Sequence, residues 1–212
     1  MTEAQSESRP WPIRYAALLI GIWLILDYRI YAFVHRRGYP FVALALVIVG
    51  LVLARRCHIR EVRLRWPGLR DWKVVAVTIL ALSLTLIPLG HALSFVHFNP
   101  VWPQIRRALV EAIPIYLIVA LPEEIIFRGV IQKSFQNKFG NPALAVTVSS
   151  VLFGLAHLHK GNPVPNWRYA LLASLAGAGY GLAFRKRGLM ASSITHALLD
   201  VIWRAFFRLP AA

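Results

Sequence analysis

The chain is 212 residues long, 58% hydrophobic and only 16% charged, a balance that excludes the usual soluble domain. The formal net charge of +15 raises nucleic acid as a partner. However, the basic residues gather at the ends of apolar runs and not along one amphipathic face or an aromatic-studded groove, which argues against that class. The single cysteine, Cys57, excludes an internal disulfide and any multi-cysteine metal site, and reads as an interfacial thiol.

Residues 1–12 are polar with two prolines and read as a short disordered tail. Apolar runs follow along the rest of the chain: Tyr15 to Val34, Phe41 to Ala54, Val74 to Gly90, Ala108 to Leu121, Pro142 to Leu158, Tyr169 to Phe184 and Leu189 to Phe207. Most approach the roughly 20 residues that a helix needs to cross about 30 Å of hydrocarbon. They predict an all-α, polytopic integral membrane helical bundle of about seven transmembrane helices, with six to eight as the range. Residues 13–212 form one transmembrane domain in this reading, with residues 108–207 as its motif-bearing core. Arg9 and Arg14 ahead of the first run resemble the start of a signal peptide, but "DYRIYAFVHRRG" follows where a small-residue cleavage site is needed, so a retained span is expected.

The densest basic cluster, Arg55, Arg56, Arg60, Arg63, Arg65, Arg70 and Lys73, lies between the second and third runs and marks the cytoplasmic side. Counting outward places the amino terminus, the Lys133/Lys138 turn and Arg185-Lys186-Arg187 on that side too, while Arg36/Arg37 and Arg106/Arg107 fall outside, against the rule. A bacterial source would make the membrane the plasma membrane. "EVRLRWPGLRDW", Glu61 to Trp72, alternates charge with Trp and Leu around a Pro-Gly turn and suits the headgroup level or a substrate-facing surface. "HALSFVHFNPVWPQIRR" and "HKGNPVPNWR" read as irregular connections.

Beyond Asp71 only Glu111, Glu123, Glu124 and Asp200 are acidic, and each lies in or beside an apolar run. An ionisable group at membrane depth costs about 2.5 to 3.5 kcal/mol on insertion scales and therefore marks a bundle interior or a wet cavity. In "LPEEIIFRGV", Pro122 fits a helix's first turn or a kink within one, placing Glu123 and Glu124 near a helix start or break. Glu124 and Arg128 are spaced i, i+4 and pair on one face; Glu123 projects about 100° away and is left for another partner. Different partners are a way to give adjacent carboxylates different roles. In "VLFGLAHLH", His157 closes an apolar run at helical spacing from Phe153, and in "SSITHALLDVI", His196 and Asp200 share a face. Either histidine alone is an ordinary packing residue; the three segments together suggest a water-binding site inside a bundle.

Other polar residues read more simply. Arg107 and Glu111 form an interfacial ion pair, Asp27 snorkels beside Tyr28, Arg29 and Tyr31, His159 and Lys160 line a loop mouth, and His91 and His97 lie in an external loop. "GAGYG", Gly177 to Gly181, sits mid-run and suits close helix packing better than a phosphate loop.

"EEIIFR", "FGLAH" and "HALLD", in that order inside apolar segments, resemble the EExxxR, FxxxH and HxxxN/D motifs of the CAAX-protease and bacteriocin-processing superfamily. These are glutamic-type intramembrane endopeptidases that include the Ras-converting prenyl protease. The resemblance covers the chain from Glu111 onward. It implies that Glu123 is the general base and holds the attacking water with His157, that Glu124 and Arg128 fix the geometry, and that His196 and the residue four later stabilise the oxyanion. That residue is Asp200 here, where the prenyl proteases carry asparagine; an ionised aspartate cannot donate a hydrogen bond. Asp200 is therefore either protonated or an orienting group for His196.

The function expected is hydrolysis of a peptide bond near the carboxyl end of a membrane-associated or lipidated protein or peptide, with no cofactor besides the catalytic water. Bacteriocin processing, self-immunity and sorting-signal cleavage are alternatives to a prenylated substrate. Zinc held by Glu123, His157 and His196 is a variant lacking the HExxH spacing. A non-proteolytic immunity or scaffold protein and a proton or ion carrier are the rival classes.

Overall fold

The computed structural model describes residues 11–27, 39–161 and 163–208. The tail through residue 10, the Arg36/Arg37 pair and the tyrosine-rich setting expected around Asp27 lie outside the described residues. The helices are α1, Ile13–Asp27; α2, Tyr39–Arg56; α3, Leu69–Ala92; and α4, Trp102–Val110. Then come α5, residues 112–139; α6, Pro142–Leu155; α7, Trp167–Arg187; and α8, Leu189–Phe206. The all-α expectation holds apart from a two-residue antiparallel ladder, β1 (His97–Phe98) with β2 (Phe207–Arg208), which ties the segment after α3 to the end of α8.

Local chemistry explains several boundaries. Asn141 caps α6 by accepting from the amides of Ala143 and Leu144, with Pro142 in the first turn. Asn166 caps α7 in the same way through Tyr169 N–H. The apolar run from Ala108 to Leu121 straddles two helices: α4 begins earlier, at Trp102 with Pro103 in its first turn, so part of the stretch expected to be irregular is helical. α5 keeps helical dihedrals at every joint from Pro114 to Lys133 but alternates regular turns with π-helical ones at Ile115–Ala120 and Ile125–Gln132. The π-helical turn just ahead of Pro122 gives the pyrrolidine ring room that a regular turn denies it.

α7 packs against α6, α8 and α3, and α8 also packs against α4, α3 and the first π-helical turn of α5; α1 lies against α2. One connected apolar core takes in Leu19, Leu46, Leu86, Ile125, Phe153, Tyr180 and Leu199, so it draws on all the helices except α4. Trp11, assigned from sequence to the disordered tail, is buried in that core and donates its indole N–H to Gly129 O at 2.7 Å. The α6–α7 contact is close because Gly154 faces Ser174 and the Ala170 carbonyl, and Gly177 faces Phe153, Ser150 and Arg128, with no space for a Cβ at Gly154. The close packing expected of Gly177 to Gly181 is thus what the helices do.

Buried hydroxyls return to their own helices: Ser150 to Val146 O, Ser193 to Leu189 O and Thr195 to Ala191 O, which satisfies them within the helix. The outer surface carries large apolar side chains, among them Phe41, Ile48, Val77, Leu84, Ile113 and Leu171. Among the described residues α3 is the one helix long and apolar enough by itself to cross a membrane; α6 and Arg14–Trp23 are apolar but shorter. In the segment after α2, Trp66 is 94% exposed and Leu69 is exposed beside it.

Candidate active site

Glu123 and Glu124 lie near the middle of α5, ten residues or more past its start, between the two π-helical turns. Of the two placements expected, a helix start or a break within one, the structure shows the break: no free N–H groups of a first turn stabilise these carboxylates, and side chains from other helices do so instead. Glu124 is fully buried. Its Oε2 lies 3.2 Å from Arg128 Nε and accepts from Ser192 Oγ of α8, while Oε1 accepts from His196 Nδ1 at 3.1 Å. The i, i+4 pair expected with Arg128 is therefore present.

Arg128 is equally buried. Its Nη1 donates to Ser149 Oγ of α6 at 3.1 Å, Ser149 donates onward to Phe127 O, and the guanidinium lies 5.0 Å from the Phe153 ring and 5.8 Å from Tyr180. A buried ion pair is tolerable only with such additional partners. Ser149, Tyr180 and Ser192 were not expected from sequence. Their signal was faint: serines and a tyrosine on the inner faces of apolar helices look like packing residues.

Glu123 turns the other way, as its offset from Glu124 requires. Its Oε1 lies 3.6 Å from Lys160 Nζ and its Oε2 lies 3.9 Å from His196 Nε2; Oε2 is buried with no hydrogen-bond partner among the described residues. His157 follows the last turn of α6. Its Nδ1 donates to Phe153 O at 2.8 Å, because a carbonyl can only accept, and its Nε2 is thereby left as an acceptor, 3.4 Å from Lys160 Nζ. His196 Nε2 also lies 3.9 Å from Asp200 Oδ1, one helical turn along α8, and its ring stacks on Tyr180 at 4.6 Å. Phe153 contacts both histidine rings edge-on or tilted, at 4.7 and 5.6 Å, and so orients them.

The expected set of Glu123, Glu124, Arg128, Phe153, His157, His196 and Asp200 is brought together from α5, α6 with the turn after it, and α8. Lys160, expected at a loop mouth, lies in the turn after α6 and also approaches Glu123 and His157, a contact that no helical periodicity could have supplied. A pocket of about 490 Å³, its open mouth included, meets this cluster at His157, His196 and Asp200 and is otherwise walled by Tyr169, Tyr180 and apolar side chains such as Leu86, Phe95, Leu172 and Trp203. A carboxylate oxygen short of donors, a histidine acceptor and a second histidine at the end of an apolar pocket can bind and deprotonate a water beside an extended substrate. Among the described residues no group of three or more His, Cys, Asp or Glu is placed to hold a metal ion.

Polar groups away from the pocket are engaged structurally. Arg107 pairs with Glu111 at 2.8 Å, as expected, and Arg204 approaches the same carboxylate at 3.6 Å. Asp71 is wholly buried in the first turn of α3, where Arg65, Arg187 and Gly68 N–H donate to it. Glu61, in the connection between α2 and α3, binds Lys133 at 2.5 Å. Burial pushes its carboxyl pKa up, but the hydrogen bond and charge of Lys133, with Arg60 nearby, outweigh that and hold it below the usual value. Cys57, just past the end of α2, is buried, and the desolvation raises its thiol pKa.

Residues 105–202 match the family model described as type II CAAX prenyl endopeptidase, Rce1-like. No curated protein and no solved structure matches the chain.

Proposed function

We propose, from the match of residues 105–202 to the Rce1-like family model of type II CAAX prenyl endopeptidases, that the chain hydrolyses a peptide bond near the carboxyl end of a lipidated or membrane-associated protein by direct attack of a water. The observation that carries the reading is Glu123 Oε2: a carboxylate oxygen buried without a hydrogen-bond partner among the described residues, within 4 Å of His196 Nε2 and beside the pocket that His157 lines. A buried acceptor left short of donors costs stability; Glu61 Oε2 and Gln132 Oε1 share that state away from the pocket, and it is the place of Glu123 beside two histidines and the pocket that supports its use in chemistry.

Glu123 takes the proton of a water that His157 Nε2 also holds. The water oxygen bonds to the scissile carbon, and the carbonyl π pair moves onto oxygen. As the C–N bond breaks, Glu123 returns the proton to the leaving amine. Glu124, Arg128 and Ser192 hold His196 in place from behind, and Asp200 orients it from its own helix. No cofactor takes part in these steps. The apolar walls of the pocket suit an acyl or prenyl chain attached close to the scissile bond.

In the same reading α1, α2, α3, α5, α6, α7 and α8 cross the bilayer, with the arginine-rich connection before α3 and the amino terminus on the cytoplasmic side. The apolar outer surface and the basic connection support this arrangement.

The test is cleavage by the purified protein, reconstituted in lipid nanodiscs, of peptides carrying a lipidated residue near the carboxyl end, read by mass spectrometry with and without a chelator. The expected result is one new carboxyl terminus in both conditions. Cleavage abolished by chelation, or flux of protons across vesicles without cleavage, contradicts the reading.

A further inference from the structure

We propose that a second cavity, between the end of α2 and the α2–α3 connection, binds one anionic phospholipid of the cytoplasmic leaflet, with Arg55 and Arg63 holding its phosphate. The inference rests on the bilayer-spanning reading above and is independent of the hydrolytic chemistry. The cavity measures about 770 Å³, its open mouth included, and is lined by Leu51 and Arg55 of α2 and by Val62, Arg63 and Leu64 of the connection. None of these residues lines the pocket beside Glu123.

Charge around this cavity is unbalanced. Glu61 and Asp71 are the acids described at this end of the bundle, and both are engaged elsewhere: Glu61 binds Lys133 of α5, and Asp71 accepts from Arg65, Arg187 and Gly68 N–H. Arg55 and Arg63 are exposed, and among the described residues neither makes a hydrogen bond or an ion pair. Arg56, Arg60, Arg70 and Lys73 add to the same positive field. Two guanidiniums that open into one cavity repel each other, and a phosphate offsets this by accepting from both, in the fork geometry that guanidinium suits.

The apolar walls say which phosphate. Leu51 lies one turn before Arg55, and Leu44 and Ile48, 52% and 53% exposed, continue the same face back along α2 at i, i+4 and i, i+3 spacings. A phosphate at Arg55 therefore stands at the head of an apolar stripe that runs towards the bilayer interior, as a headgroup stands over its acyl chain. A soluble anion leaves that stripe unused. Trp66, exposed two residues past Leu64, adds an aromatic ring at the same headgroup level.

Occupancy has a mechanical consequence. Val62 packs on Gly129 of α5, its Cγ2 3.0 Å from where a Cβ would stand, and Glu61 ties the same connection to Lys133. A lipid held by both arginines thus fastens α2 to a segment that already grips the helix of Glu123 and Glu124.

The experiment is native mass spectrometry of the protein in detergent with equal amounts of phosphatidylglycerol and phosphatidylcholine, joined to melting temperatures in nanodiscs of each lipid. One phosphatidylglycerol is expected to be retained in preference to phosphatidylcholine, and the melting temperature is expected to be higher in phosphatidylglycerol. Arg55→Gln/Arg63→Gln is expected to lower that retention about thirtyfold, the combined effect of two basic residues at an anionic surface. It is also expected to abolish the difference between the nanodiscs while melting normally in phosphatidylcholine. Arg70→Gln/Lys73→Gln, which removes the same charge outside the cavity, is expected to leave retention and melting as in the unsubstituted protein.

Equal losses in the two double variants reduce the site to diffuse charge and overturn the proposal. So do equal retention of the two lipids, release of phosphatidylglycerol by inorganic phosphate, and a lipid preference that emerges only with Glu3→Gln/Glu7→Gln, which assigns the arginines to the amino-terminal segment. If the protein is extracted by carbonate from vesicles of the two lipids, the bilayer-spanning reading fails first and this inference with it; a protein that stays inserted without preferring phosphatidylglycerol sinks the inference alone.

Discussion

Two buried carboxylates, Asp71 and Glu123, are held among cations and end in opposite states. Asp71 is saturated: Oδ1 accepts from Arg65 Nη2 at 2.6 Å and Arg187 Nε at 2.7 Å, and Oδ2 accepts from Arg65 Nη1 and Gly68 N–H, each at 2.7 Å. Arg65 also reaches the Arg187 carbonyl, so the group fastens the start of α3 to the end of α7. Glu123 has its nearest cation at 3.6 Å and one oxygen without a hydrogen bond among the described residues. The charge type and the burial are alike; the number of donors differs. Full saturation makes a structural joint, whereas an oxygen left short of donors beside a pocket and two histidines leaves a carboxylate able to take a proton from water.

Glu124 shows that the reactive centre contains a saturated half too, and removing it gives the largest effect expected. Glu124→Ala strands the Arg128 charge and is expected to cost about 3 to 5 kcal/mol of stability, with activity lost alongside, as measured by thermal unfolding and cleavage on the same nanodisc preparation. A variant that melts normally would break the distinction between the two glutamates. Next comes His157→Gln, expected to lower kcat at least about 10²-fold, equivalent to about 2.7 kcal/mol of barrier, with a much smaller change in melting temperature. Asp71→Asn is expected to do the reverse, losing about 1 to 3 kcal/mol of stability while the rate per folded molecule stays within about twofold.

The smallest effect belongs to Glu61 and Lys133. The folded-state pKa of Glu61 is depressed, so its contribution to stability is present above the unfolded value near 4.5 and is lost as pH falls through the lower folded value. The difference in melting temperature between the unsubstituted protein and Lys133→Met is therefore expected to shrink on acidification through that range; a difference that grows contradicts the sign.

Much of the site was legible because charge is conspicuous in an apolar segment. Glu123, Glu124, Arg128, His157, His196 and Asp200 stood out by the cost of burying them, and helical spacing paired Glu124 with Arg128 and His196 with Asp200. Ser149, Tyr180 and Ser192 did not stand out, since residues of middling hydropathy inside helices betray nothing of the direction in which they point. Lys160 was hidden by its turn, whose course is set by Asn166 and Gly161 and not by any period. In the fold, the apolar runs marked helices but not their hydrogen-bond register, so the π-helical turns around Pro122 were invisible. α4 was masked by the asparagine and prolines at its start, and the two-residue ladder depends on partners 109 to 111 residues apart.

The central claim is that the donor-poor carboxylate performs the chemistry. It is tested most directly by measuring cleavage of a lipidated peptide by Glu123→Gln beside the unsubstituted protein, with unfolding recorded on the same samples. The account expects turnover to fall below about one part in 10³, consistent with loss of a general base, and the melting temperature to hold or rise, since Gln removes an under-satisfied buried charge. Turnover retained in a folded Glu123→Gln protein would contradict it.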